Sequence, residues 1–170
     1  MPIPRGIRTQ GFTLIELMIV IAIISILSGL VITVLNPALI RARARDARRV
    51  SEVKILANSV AYGLASNSIR LLPTDGCMTC NTLTGTDSID GLSGWIKFSK
   101  ITGSGLSDYI SILPVDPTNN AEYYYEFASD GDKFEISVKL EDERYFENLG
   151  SDGGSDPAKY EVGTKLDLIP

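Results

Sequence analysis

Between Phe12 and Leu35 one ionisable side chain, Glu16, stands in an otherwise apolar run. A helix of that length rises about 36 Å, enough to cross a hydrocarbon core of about 30 Å. A carboxylate in such a span costs about 2.5–3.5 kcal/mol at the bilayer centre and less near the surface. It is kept there with a partner or a task; the bland alternative is a side chain that merely snorkels to water. The second constellation is Cys77-Met78-Thr79-Cys80. It reads as a local disulfide, suited to an oxidising compartment, or as simple free thiols. A zinc site needs two more ligands, but the chain has no other cysteine and no histidine, and a redox motif needs a βαβ context that is missing. The lack of histidine also removes Ser-His and Cys-His catalysis, and nothing in the sequence points to an enzyme.

Gly11-Phe12-Thr13-Leu14-Ile15-Glu16-Leu17, opening a long apolar run, resembles the processing signal of type IV pilins and type II secretion pseudopilins. The resemblance covers residues 5 to 60 and implies several things. A membrane aspartyl peptidase, the prepilin peptidase, would cut between Gly11 and Phe12 and N-methylate Phe12. Glu16 would pair with the positive amino terminus of a neighbouring subunit, each group offsetting the other's burial; losing one strands the other. The chain would be a non-enzymatic subunit of a helical filament. Its partners would be the peptidase, identical subunits, the pilus or secretion assembly machinery and inner-membrane lipid. It would be a single-pass protein of the cytoplasmic membrane, amino terminus inside, before assembly into an extracytoplasmic or surface filament. A type II secretion pseudopilin or a DNA-uptake pilin shares this signal. From another class, a signal-anchored membrane protein with a ligand-binding head would stay uncut and tolerate loss of Glu16.

The resemblance also raises calcium, which major pseudopilins bind near the carboxyl terminus. Asp130, Asp132, Asp152 and Asp156 lie in oxygen-rich loops with Gly, as calcium prefers. No segment has a complete calcium-loop spacing, and a solvated loop is the preferred reading, with no cofactor assigned.

Positioning these groups requires an α+β chain: a long N-terminal helix packed on a small C-terminal antiparallel β-sheet domain. The parts are a leader (1–11), a transmembrane or filament-core helix (12–35), an amphipathic helix (36–72) and a globular head (73–170). Pro37 removes a backbone donor, so a kink or break is expected at Asn36-Pro37. Val50, Val53, Ala57, Val60 and Leu64 form one apolar seam at helical spacing, with Arg41, Arg45, Arg48 and Arg49 on a different side, and Pro73 is a natural stop. Trp95, Phe98 and Ile101 recur at helical spacing, and Leu106 to Leu113 extend a second short helix. Residues 122–128 and 133–140 read as a hairpin around Ser129-Asp130-Gly131-Asp132, the second strand half-buried because Phe134, Ile136, Val138 and Leu140 alternate with Lys133, Glu135, Ser137 and Lys139. Residues 159–168 form a peripheral strand or an extended tail.

Charge is divided along the chain. Residues 12–72 carry seven Lys and Arg against three acids, and residues 73–170 seven against eighteen, within a total of −5. A basic stalk and an acidic head suit side-by-side packing of identical subunits, while solubility is the plainer reading. The acidic head argues against nucleic acid. Only Arg5 and Arg8 precede the apolar run, whereas Arg41, Arg43, Arg45, Arg48 and Arg49 follow it closely. Charge alone would place the arginine side in the cytoplasm. The resemblance implies the reverse, and the reading follows it.

Overall fold

The computed structural model describes residues 11–75, 77–145, 149 and 152–169; the leader, apart from Gly11, lies outside them. The chain divides after Ile40 into two compact units.

The first unit contains α1 (Leu14–Leu35). Thr13 caps it in an extended conformation, φ −82° and ψ 152°. Its described side chains are exposed on every side, and Leu14–Val31 is long and apolar enough to cross a membrane. A helix apolar all round is built to be surrounded by lipid or by other helices. The hydroxyl of Ser25 donates to Ile21 O at 2.7 Å, so this polar group is satisfied within the helix. Asn36 ends α1 in the left-handed region at φ 40°. Pro37 then opens α2 (Pro37–Ala65), where its fixed φ and missing N–H are tolerated. The break expected at Asn36-Pro37 is present.

The second unit takes α2 from Arg41 onward. Val53 and Val60 of its seam are buried, as is Leu56 beside them, with Val50, Ala57 and Leu64 packed at the margin. They share one core with Phe127, Phe134, Ile136, Val138, Trp95 and Ile69. Fully burying each large apolar side chain contributes about 1.5–3 kcal/mol. The helix stops at Ala65, short of the Leu72 expected from Pro73. Ser68 N and Ser68 Oγ both donate to Gly63 O, and Asn67 turns left-handed at φ 54°. Those contacts close the helix and free Ile69–Leu71 to become β1.

Strand β1 pairs antiparallel with β2 (Phe98–Ile101), which corrects the helical reading of Trp95, Phe98 and Ile101. Only Trp95 and Phe98 of that series are buried, and Ile101 is exposed. Trp95 Nε1 donates to Pro114 O at 3.1 Å, anchoring an otherwise irregular region. Residues 106–113 form turns, not a helix.

A second antiparallel sheet has the order β3 (Tyr125–Ser129), β4 (Phe134–Lys139), β5 (Lys159–Gly163). The hairpin is as expected. Asp130 Oδ1 accepts from the backbone N–H of Asp132 and Lys133, and Gly131 supplies φ 102°. The open edge of β3 is covered by the segment before it: Thr74 N donates to Ser129 O, Phe127 N to Cys80 O and Thr82 N to Tyr125 O, at 2.9, 2.9 and 3.0 Å. Strand β4 is not half-buried. Glu135 and Ser137 are as inaccessible as Phe134 and Ile136, so both faces of the sheet are covered.

Candidate functional site

Gly11 and Phe12 precede the cap of α1 in no regular secondary structure, and both are exposed. The first helical bond runs from Leu17 N to Thr13 O at 3.2 Å, beyond the Gly11–Phe12 peptide. That peptide bond therefore lies outside the helix. Glu16 is the third residue of the helix, where its carboxylate faces the orphan amides of the first turn. Its Oε2 accepts from Thr13 N at 2.8 Å and from Thr13 Oγ1 at 2.6 Å, while Glu16 N donates to Thr13 Oγ1 at 3.3 Å. This capping box gives the carboxylate partners inside its own chain.

The arginines behind the span are used differently from the sequence expectation. Arg49 is fully buried, not displayed on a free face. Its Nε and Nη2 donate to the two oxygens of Asp116 at 2.6 and 2.9 Å, its Nη1 to Asp46 Oδ1 and Glu141 Oε1 at 2.8 and 2.5 Å, and its Nη2 also to Thr118 Oγ1 at 2.9 Å. Arg43 pairs with Asp142 at 2.5 Å, Arg45 with Glu141, and Arg48 with Glu52 at 2.7 Å. Asp46 accepts the backbone N–H of Glu141 and Asp142. Much of the charge complementarity between helix and head is thus used within one chain.

Arg45, bonded to Glu141, holds that carboxyl well below its usual value of 4.5, at about 2, with Arg49 adding to the effect. A depressed carboxylate pKa contributes stability that is present above the unfolded value and lost as pH falls through the folded one. Acid unfolding should therefore steepen from pH 4.5 toward pH 2. Glu141→Gln should flatten that limb in thermal melts followed by near-UV circular dichroism; an unchanged acid limb would count against the clamp.

Cys77 and Cys80 are joined by a disulfide, with sulfurs 2.04 Å apart, beside the covered edge of β3. The four aspartates weighed for calcium are not gathered. Asp130 caps the hairpin turn; Asp132 is exposed within it. Asp152 accepts from Gly154 N and Glu161 N, and Asp156 from Ala158 N. Among the described residues no three Asp, Glu, Cys or His groups are placed to hold a metal ion. Sequence reasoning missed Asp116, the bidentate partner of Arg49, and the buried carboxyls of Glu135 and Glu161. Strict alternation marked Glu135 as solvent-facing, and no local signal indicated the cover above it.

With that geometry in place, the comparisons with known proteins bear on its amino-terminal end. Residues 7–32 match the prokaryotic N-terminal methylation motif. No curated protein and no solved structure matches the chain. The matched segment contains Gly11, Phe12, Thr13 and Glu16 and most of α1. The chain carries the prepilin signal of type IV pilins and pseudopilins, and with it the mark of prepilin peptidase processing. That motif points to a structural subunit, not an enzyme. The apolar helix it opens fits anchoring in a membrane before assembly.

Proposed function

We propose that this chain is a structural subunit of a type IV pilus-like filament, processed between Gly11 and Phe12 and assembled through α1. The observation that carries the reading is the prepilin motif opening directly into a helix that is apolar on all sides and bears one carboxylate, Glu16. In the membrane that helix is solvated by lipid. In a filament it would be solvated by copies of itself, and either environment accepts the same surface. Glu16 would exchange its bonds to Thr13 for the methylated amino terminus of Phe12 on a neighbour. The amino terminus would lie in the cytoplasm and the head outside. Arg43, Arg45 and Arg49, three of the five arginines that follow the span, have partners in the folded head, which supplies a reason for them other than cytoplasmic retention. The same pairings leave Arg43 and Arg45 engaged, which weighs against using them for DNA uptake.

Intact mass and amino-terminal sequencing of the protein from membranes of peptidase-competent cells test this reading. The expected chain begins at Phe12 with one added methyl group. A chain that keeps residues 1–11 in such cells would overturn the filament subunit and favour the uncut membrane anchor.

A further inference from the structure

The face of the three-stranded sheet turned away from Phe134, Ile136 and Val138 is dry and acidic. Glu135 and Ser137 of β4 and Glu161 of β5 lie on it, with exposures of 0%, 1% and 1%. Ser137 is registered opposite Glu161, and Glu135 opposite Gly163, so the two carboxyl groups are diagonal neighbours within side-chain reach. One oxygen of each is satisfied by a covering segment. Glu135 Oε2 accepts from Leu168 N at 2.7 Å and from Ile169 N at 3.1 Å. Glu161 Oε2 accepts from Asp156 N at 3.0 Å. Gly154 lies so close to the Glu161 carboxyl that a Cβ there would collide with it. The other oxygen of each carboxyl, together with Ser137 Oγ, is buried without a partner among the described residues.

Two carboxylates cannot bond each other, but a carboxylic acid and a carboxylate can. A single proton between Glu135 and Glu161 turns one orphan acceptor into a donor and satisfies both. The charged groups around the pair favour keeping that proton. Asp152, whose carboxylate accepts from Glu161 N, adds negative charge from the covering loop, while Asp156 N, which donates to Glu161, works the other way. Glu126 of β3 is engaged with Lys159, which also lies 3.9 Å from Asp156. Lys165 is engaged with Asp130 and Asp167, and Lys54 of α2 sits over the Tyr160 ring.

We propose that Glu135 and Glu161 share one proton, and that this proton latches the Leu168–Ile169 segment and the Asp152–Asp156 loop onto the sheet until it is lost to solvent. Burial, and then the hydrogen bond with Glu135, push the Glu161 carboxyl up to about 7, so release falls near neutrality. The sign follows from linkage. An acid with a raised folded pKa contributes stability that is fully present below its unfolded value, 4.5, and lost as pH rises through the folded one. The head would then be tightly closed in a mildly acidic exterior and loosened at its carboxyl-terminal end in an alkaline one.

Hydrogen exchange of the full chain in detergent micelles, read by mass spectrometry on the peptide containing Leu168 and Ile169, tests the latch. After correction for intrinsic base catalysis, protection of those amides should fall by up to about tenfold per pH unit between pH 4.5 and about pH 7, the slope of one released proton, and level off above that. Glu161→Gln supplies a permanent donor and should abolish the step while keeping protection. A wild-type profile flat from pH 4.5 to about pH 7 would overturn the proposal. So would a Glu161→Gln profile retaining the step, or protection restored at high pH by added calcium, which would make the cluster a cation site. If that variant does not fold, the infrared spectrum of the wild-type chain decides. A protonated-carboxyl band that vanishes around pH 7 and is absent in Glu135→Gln supports the shared proton, and no such band in the wild type overturns it.

Discussion

Arg49→Met should cost about 3–5 kcal/mol, the penalty for breaking a buried ion pair from one side. The guanidinium places all five of its N–H donors: two on Asp116, one each on Asp46, Glu141 and Thr118. Met fills much of the volume but leaves Asp116, which is 4% exposed, without a countercharge and with its Oδ2 unpaired, and leaves Asp46 held only by two backbone amides. The loss reflects those stranded carboxylates, not the net worth of the cluster. Arg49→Lys keeps the charge but cannot span both oxygens of Asp116 in the same plane, so an intermediate loss is expected. Against a typical domain stability of about 5–15 kcal/mol, the Met variant should be close to unfolding. Urea titration of the detergent-solubilised chain measures it. A Met variant within about 1 kcal/mol of wild type would show that the carboxylates find other partners or are protonated.

Glu16→Ala should abolish filament assembly while leaving cleavage and methylation of Phe12 intact. In the isolated subunit the substitution removes half of the capping box, a loss of about 0.5–1 kcal/mol. It also removes a carboxylate from a membrane-spanning helix, a gain of up to about 3 kcal/mol. The unassembled protein is therefore no less stable in the bilayer, and lost filaments must reflect contacts between subunits. Glu16→Gln sharpens the test, because an amide oxygen can still accept from Thr13 N but carries no charge to meet a neighbour's amino terminus. Both variants should yield mature, methylated protein in membranes and no sheared filaments. Normal filaments from Glu16→Ala would sink the assembly role, whatever the state of Phe12.

The legible parts of the fold were those set by local chemistry. An apolar run of bilayer length, the Asn36-Pro37 break, the seam centred on Val53 and Val60, and the hairpin around Gly131 all follow from spacing and turn residues. The motif at Gly11 to Glu16 was equally plain, because its meaning lies in a short contiguous string. The illegible parts depended on distant chain. Arg49 reads as one of several arginines on a side of the helix away from the apolar seam; only a loop at Asp116 and the residues after β4 make it a core residue. Glu135 and Ser137 read as outward-facing until residues 168–169 and the loop at Asp156 close over that face. Phe98 lies three residues from Trp95, but the helical spacing was coincidental, since pairing with Ile69–Leu71 sets its conformation.

The backbone bonds of Thr74, Cys80 and Thr82 to β3 have a further consequence for a head that would work, in the proposed filament, among many copies of itself. A bare strand edge invites any like strand nearby to add to it, and a filament holds its heads at very high local concentration. By occupying Tyr125, Phe127 and Ser129 with its own backbone, and by being tied through Cys77–Cys80, the stretch that carries those bonds leaves β3 unavailable as a template. In the proposed filament, neighbouring heads would then touch through side chains without exchanging strands, and the subunits would be kept from fusing into amyloid-like ribbons.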